Sequence, residues 1–298
     1  MRLISAPACG ARRIKHHMAI MTRRARRAGG DAWSHLRPRL RPYRYDARRY
    51  EDRNGFPPFD HFLHREPRDG QVLEGAEAPS TVWCFWTGPN ALTPNRARSV
   101  QALEAAYGEA GFRLVTDDIL PSITVPGHPL HPAYDLLSFV HRSDYLRAYV
   151  LHHHGGAYTD LKTPGNGSLI QPLQRLQEDK HLWVVGAPDP DHRLVGNLHG
   201  PLGDDTRTHR SVLVGIHAMA CRPRTPFTAE WLNEVERRLD YYHRDLRSHP
   251  ARDPYGREGG YPITWIGIGA DVYQPLQLKY LNHVEVDRTL RVVTSDYR

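Results

Sequence analysis

Cysteine and long apolar runs are both scarce in this chain of 298 residues. Its three cysteines, Cys9, Cys84 and Cys221, are too few for a disulfide-stabilised scaffold or for a zinc site with four cysteines. No stretch of 18 consecutive apolar residues occurs, so the sequence predicts no membrane-spanning helix. Hydrophobic residues make up 40% of the chain and charged residues 24%, a composition typical of a soluble globular protein with a sizeable core.

Positive charge is concentrated near the N-terminus. Residues 1–53 contain 15 Lys and Arg and four Asp and Glu, a net charge of +11, whereas residues 54–298 carry a net charge of −4. The slightly acidic body argues against nucleic acid as a partner. The basic residues are followed by no apolar stretch long enough for a secretory signal, and we expect none. Arginines and prolines crowd together at Arg37–Pro42, which predicts a basic, disordered arm over residues 1–53.

Three interpretations of this arm remain open. It could be a solvated tail, a patch that binds anionic lipid or nucleic acid, or an untranslated stretch before a start codon at Met18 or Met21. We expect a cytoplasmic protein, and the lipid-binding alternative would add peripheral contact with the inner face of the membrane.

The body begins with an irregular lead-in and continues as one α/β domain. Residues 54–80 are rich in proline, glycine and acids, and residues 81–298 form the predicted domain. An aromatic and β-branched run at Thr81–Trp86 predicts a buried strand. A helix is expected to begin after Thr93, and a second strand follows at Phe112–Val115. This strand–helix–strand order predicts a parallel sheet.

The next segments alternate between helix and strand. Four prolines predict a loop over Ile119–Pro132, and a helical stretch over Ala133–Gly156 is expected to break near Arg142, with Ser143 capping the second helix. Two glycines, Gly155 and Gly156, are expected to end it. Further strands are expected at Ala157–Leu161, His181–Val185, Leu213–Cys221 and Val284–Thr294, and a helix at Pro226–Leu246.

Polar side chains converge where the helix meets the following strand. Asp144 and Arg147 are three residues apart and share a helix face. Alternation along the strand places Tyr158, Asp160 and Lys162 on one side. Ligands bind at the carboxyl ends of strands in open α/β sheets, so the sequence predicts a binding site here.

These residues resemble a known family. The pattern S-D-x-x-R from Ser143, followed by G-G-x-Y-x-D from Gly155, is similar to glycosyltransferases whose sugar-binding region contains a DXD motif. That group includes the Och1-like mannosyltransferases, the bacterial capsular-polysaccharide synthesis proteins and the glucosyltransferase domains of large clostridial toxins. A looser likeness extends over about residues 81–227. The resemblance implies a GT-A-type, Rossmann-like nucleotide-sugar-binding domain with a mostly parallel central sheet.

The resemblance also implies roles for individual residues. Trp86 would stack on the nucleobase, and Asp160 would be the first carboxylate of the motif. Such a carboxylate is a catalytic residue that binds Mn2+ or Mg2+, because a divalent cation stabilises the charge on a diphosphate leaving group. The donor-binding residues implied are Trp86, Gly88, Asp144, Arg147, Tyr158 and Asp271.

Lys162 stands where the family has the second aspartate, and three hypotheses follow. Lys162 itself could act in catalysis by offsetting the diphosphate charge, with less need for a metal. A metal could instead use Asp160 and a distant C-terminal ligand, with Lys162 turned away. Alternatively, the protein could have lost catalysis and only bind.

From the resemblance we expect a hexosyltransferase. It would move a hexose from a nucleoside diphosphate sugar to a carbohydrate acceptor, with retention of configuration, in surface or capsular polysaccharide synthesis. The alternative, motivated by Lys162, is a non-catalytic module that binds sugar nucleotides or glycans.

Overall fold

A computed structural model describes residues 42–51, 59, 62–64, 77–189, 196 and 198–291. Arg44–Arg298 forms one compact unit. Most of the predicted basic arm lies outside the described residues, but its final part includes a 3-10 helix, Ala47–Tyr50, in which Tyr50 is buried. Most of the predicted lead-in is also outside them. The divisions at residues 53 and 80 stay predictions.

Six strands form a single sheet in the order β2-β1-β3-β5-β4-β6. Strand β5 runs antiparallel to both of its neighbours, and the other three pairs are parallel. Five strands therefore end at the same edge of the sheet. The bounds are β1 Val82–Phe85, β2 Phe112–Val115, β3 Gly156–Thr159, β4 Val184–Pro188, β5 Val214–Cys221 and β6 Val284–Val286.

Helices cover both faces of the sheet. They are α1 Pro94–Tyr107, α2 Leu120–Ile123, α3 Phe139–His153, α4 Ile170–Glu178, α5 Gly200–His209, α6 Pro226–Ser248 and α7 Ala270–Lys279. Helices α1 and α4 join the core cluster that contains Val82, Cys84 and Ala157. The opposite face carries Phe85 and Tyr158, whose rings stack, and on this side α3 and α7 contact the sheet. This mixed α/β architecture is consistent with a GT-A-like, Rossmann-type fold.

The predicted strand–helix–strand unit is confirmed. Strands β1 and β2 pair in parallel, with Val82 opposite Phe112. The Thr93 hydroxyl accepts a hydrogen bond from the Arg96 N–H and caps α1, as expected for threonine before a first-turn proline. Gly111, with φ +83°, ends the turn before β2.

Two glycines connect α3 to β3, as the sequence predicts. Gly155 and Gly156 have φ of +68° and +96°, values that residues with a Cβ rarely adopt. A Cβ on Gly156 would also lie 2.5 Å from the Thr81 carbonyl oxygen. The turn therefore requires glycine for both backbone conformation and space, and it fixes where β3 emerges.

The predicted break in the helix before this turn is wrong. The cap is Ser138, whose hydroxyl accepts a hydrogen bond from the His141 N–H, and α3 runs without a break through Ser143. Both serines satisfy the local preference for capping. One continuous helix buries His141 together with Asp144 and Arg147, and a break at Arg142 would separate them.

Other boundaries also differ from prediction. The loop predicted at Ile119–Pro132 contains the short helix α2, in which Pro121 occupies a first-turn position that needs no N–H. Strand β4 ends at Pro188 rather than Val185, because its pairing with β5 and β6 continues past the apolar run. Helices α4, α5 and α7 are additional to those predicted. Among the described helices, none is long and apolar enough to cross a membrane.

Candidate active site

The site lies at the carboxyl edge of the sheet, immediately after β3. The Asp160 N–H donates to the His217 carbonyl at 3.0 Å, which extends the β3–β5 pairing by one residue. The strand ends at Thr159, two residues earlier than predicted, and the Lys162 N–H turns back to the Asp160 carbonyl at 2.7 Å. Lys162 thus reaches Asp160 through a turn rather than along a strand.

Five of the predicted residues form one continuous network. The Arg147 guanidinium donates to Asp144 Oδ1 at 2.8 Å and to the Tyr158 hydroxyl at 2.8 Å. That hydroxyl donates to Asp160 Oδ1 at 2.9 Å. Lys162 Nζ donates to Asp160 Oδ2, also at 2.9 Å. We call Asp144, Arg147, Tyr158, Asp160 and Lys162 the Asp160 network.

Burial and charge act in opposite directions on the two carboxylates. Burial alone would raise the pKa of Asp160, but Lys162 and Arg147 outweigh it, and the pKa is lowered. At Asp144, burial dominates over the attraction of Arg147 and His141, so the pKa is raised. Burial would lower the pKa of Arg147, but Tyr158 and the two carboxylates raise it. Asp160 and Arg147 are therefore both ionised at neutral pH.

Arg147 is fixed between the helix and the sheet. Its guanidinium carbon lies 4.2 Å from the centroid of the Tyr158 ring, a cation–π contact that strengthens when water is excluded. Its Nε is buried without a hydrogen-bond partner among the described residues. Arg147 would therefore act on an anionic ligand through its fixed, poorly screened charge rather than through Nε.

The described residues do not fit a divalent cation held by two carboxylates. They contain no group of three or more His, Cys, Asp or Glu side chains arranged to hold a metal ion. Both Asp160 oxygens already accept hydrogen bonds, from Tyr158 and from Lys162. An ammonium 2.9 Å from the carboxylate would repel Mn2+ or Mg2+, which need several oxygen ligands.

Trp86 and Gly88 follow β1 at the same edge of the sheet. The indole N–H of Trp86 donates to the Asn90 carbonyl at 2.8 Å, and the Arg96 guanidinium carbon lies 5.8 Å from its ring centroid. The Gly88 N–H donates to Asp117 at 3.0 Å. Their predicted donor-binding roles stay predictions.

Asp271 lies in the first turn of α7, at the border of the network. A Cβ on Gly269, two residues earlier, would lie 2.8 Å from Asp144 Oδ2. Asp271 itself is buried, and a Cβ on Gly196 would lie 3.0 Å from its Oδ1. The start of α7 thus closes one side of the network, and the contact with Asp144 is made by Gly269.

Arg96 is a neighbour of the site that the sequence analysis missed. Its guanidinium donates to the Leu161 carbonyl, between Asp160 and Lys162, while it lies beside the Trp86 ring. A cation in the first turn of a helix opposes the helix dipole. That unfavourable placement in α1 was the available signal that Arg96 has a tertiary role.

A second polar group beside Asp160 was also missed. His217 Nδ1 on β5 lies 3.6 Å from Asp189 Oδ1, and Gln274 of α7 donates to the other Asp189 oxygen. Burial raises the pKa of Asp189, against the effect of His217. Asp189 immediately follows β4, so the strand-end rule would have found it if the end of β4 had been placed correctly.

Comparison with known proteins gives one match. Residues 110–178 match the family described as glycosyltransferase sugar-binding region containing DXD motif. This segment carries α3, the glycine turn and all five residues of the Asp160 network. No curated protein and no solved structure matches the chain. The segment that builds the candidate site is therefore similar to the sugar-binding region of DXD-containing glycosyltransferases.

Proposed function

We propose that this protein is a hexosyltransferase that uses a nucleoside diphosphate sugar and a carbohydrate acceptor. The observation that carries the proposal is the Asp160 network, in which the cations Arg147 and Lys162 lie at the carboxyl edge of the sheet. The network falls within the segment that matches a glycosyltransferase family. A role in surface or capsular polysaccharide synthesis is part of the proposal and rests on the resemblance of the motifs.

Charge development at the leaving group explains the need for two cations. The bond between the anomeric carbon and the phosphate oxygen breaks, and the acceptor oxygen forms a new bond to that carbon. The diphosphate gains negative charge as this bond breaks, and it receives the acceptor proton. Fixed cations that meet this charge in a water-poor site lower the barrier. We propose retention of configuration and assign no enzymatic nucleophile.

Lys162 is the central residue of this proposal. Its ammonium pairs with Asp160, and the same ammonium could also donate to a diphosphate while it stays close to the carboxylate. The pairing supports the first of the three hypotheses for Lys162, since the side chain points to the network rather than away from it. Arg147, held by Asp144 and Tyr158, would supply the second cation.

Metal-free turnover that depends on Lys162 tests this mechanism. We expect wild-type hydrolysis of a nucleotide sugar to persist in EDTA and to fall about 100-fold in Lys162→Ala, the usual cost of losing one such charge contact. Lys180→Ala, which removes an exposed lysine after α4, is the matched control and should leave the rate unchanged. The readout is release of nucleoside diphosphate.

Two results would contradict the lysine mechanism. One is an undiminished rate in Lys162→Ala, and the other is a wild-type rate abolished by EDTA and restored by Mn2+. The ion pair that engages Asp160 also favours a second candidate function, a non-catalytic module. Binding of a nucleotide sugar without turnover under every condition would support that alternative.

A further inference from the structure

Three exposed residues form a cluster in the segment between α6 and α7. Trp265 and Tyr255 are 46% and 39% exposed, and their ring centroids lie 5.9 Å apart. The Arg257 guanidinium carbon lies 5.0 Å from the Tyr255 ring and 5.6 Å from the Trp265 ring. We call Tyr255, Arg257 and Trp265 the aromatic platform.

Local hydrogen bonds hold the platform in shape. The Asp253 carboxylate accepts the backbone N–H groups of Tyr255 and Arg257, both at 2.8 Å, and that of Glu258 at 2.9 Å. An aspartate that gathers backbone donors in this way fixes a turn. The two aromatic rings and the guanidinium are thus presented by an ordered turn, which lowers the entropic cost of binding a ligand.

The same segment packs on α3 close to the Asp160 network. The Val140 N–H donates to the Pro254 carbonyl at 3.2 Å, and His141 Nε2 lies 3.1 Å from the Thr264 carbonyl, next to Trp265. His141 and Asp144 are three residues apart on α3, a rise of about 4.5 Å. Gly269, at the end of the segment, contacts Asp144. The platform therefore flanks the network.

The chemistry of the platform fits an acidic sugar. The C–H face of a pyranose is apolar and stacks on an indole or phenol ring, and exposed aromatic groups of this kind mark binding surfaces. A guanidinium pairs with a carboxylate or phosphate group in a two-pronged geometry. We propose that the aromatic platform binds the acceptor and that the acceptor is a carbohydrate with a carboxylate or phosphate substituent. This inference rests on the proposed transferase function.

Saturation-transfer NMR with simple sugars tests the platform directly. The probes are methyl glucuronide, glucose 6-phosphate and methyl glucoside, each with the full-length protein. We expect more transfer to the two acidic sugars than to the neutral one, and their relative strength distinguishes a carboxylate from a phosphate. Trp265→Ala should weaken binding of the acidic sugars about tenfold. Arg257→Gln should reduce their binding to that of methyl glucoside.

Two controls separate the platform from the donor site. Tyr241→Ala removes another exposed aromatic residue, 59% exposed on α6, and should leave sugar binding unchanged. Hydrolysis of a nucleotide sugar by the wild-type protein is the second control, and its absence would point to failure of the proposed function itself rather than of the platform. If Trp265→Ala does not fold, Trp265→Phe should retain binding while Arg257→Gln still loses acid selectivity.

Several outcomes would overturn the inference. Equal binding of the acidic and neutral sugars by wild type would show that Arg257 does not pair with the acidic group of the sugar. Acid binding that survives Trp265→Ala but is lost in Lys162→Ala would place the acidic sugar in the donor site. If Tyr241→Ala weakened sugar binding as much as Trp265→Ala does, exposed aromatic residues would bind sugar wherever they lie, and the platform would not be a specific site.

Discussion

Lys162 lies 2.9 Å from Asp160 and brings a positive charge to the carboxylate at the end of β3. Two aspartates would leave a negative pocket that needs a cation. Here Lys162 pairs with Asp160 and Arg147 pairs with Asp144, so each aspartate lies beside a basic side chain. An ammonium held beside Asp160 repels a divalent cation, which explains why the described residues do not fit a two-carboxylate metal site.

Gly156 gives a test of the turn that positions Asp160. Gly156→Ala would place a Cβ at φ +96° and 2.5 Å from the Thr81 carbonyl oxygen. We expect the free energy of unfolding to fall by about 1–3 kcal/mol, measured by urea denaturation. Gly108→Ala is the matched control, because Gly108 has helical dihedral angles and open space around its Cβ position.

Gly108→Ala should leave the free energy of unfolding unchanged or raise it by up to about 1 kcal/mol. Equal losses in the two variants would contradict the role given to the positive φ of Gly156.

His153 makes stability depend on pH. Burial lowers its pKa to about 3, and the neighbouring His152, His128 and His154 add to the effect, as does Arg224. The unfolded side chain titrates near 6.5, so between these values the unfolded chain binds more protons than the folded one. Stability contributed by neutral His153 is therefore present above about pH 6.5 and is lost as pH falls towards 3.

We expect His153→Gln to reduce this loss of stability on acidification. The measurement is the free energy of unfolding at a series of pH values from 8 to 4. At pH 8 the side chain of His153 is neutral in both the folded and the unfolded chain, so the difference in free energy of unfolding between the two proteins reflects packing alone. That difference is the baseline for the values at lower pH. A parallel decline of both proteins below pH 6.5 would contradict the assignment to His153.

At the scale of elements, boundaries marked by local signals were predicted, and boundaries that depend on tertiary contacts were not. The sequence predicted β1, α1 and β2 because Thr93 and the flanking glycines mark boundaries within a few residues. It also predicted the glycine turn that places Asp160. Ser138 and Ser143 could not be distinguished as the helix cap from local sequence. The choice depends on the tertiary contacts that bury α3 as one continuous helix.

Residues that reach the site from other elements were harder to predict. Arg96 and Gln274 lie on helices far from Asp160 in the chain, and no spacing in the sequence joins them to it. Asp189 was missed because the end of β4 depends on pairing with two other strands. The network itself could be predicted because it lies within residues 144–162. At the start of α7 the sequence predicted Asp271 but not Gly269, which makes the contact with Asp144.

At the scale of the whole molecule, the antiparallel strand β5 leaves five strand ends at one edge of the sheet. The Asp160 network lies at that edge, and the start of α7 closes one side of it. The aromatic platform flanks the network from the segment that packs on the start of α3. We propose that the Asp160 network, through Arg147 and Lys162, meets the diphosphate and that the exposed aromatic platform meets the acceptor.

Nucleotide-sugar turnover by the purified wild-type protein tests the central claim. The assay follows release of nucleoside diphosphate from a panel of donors, in Mn2+ and in EDTA, for wild type and Asp160→Asn. We predict turnover of at least one donor by wild type and a loss of about 100-fold in Asp160→Asn, because the variant no longer positions Lys162. Neither binding nor turnover of any donor by wild type, or undiminished turnover in Asp160→Asn, would contradict the claim.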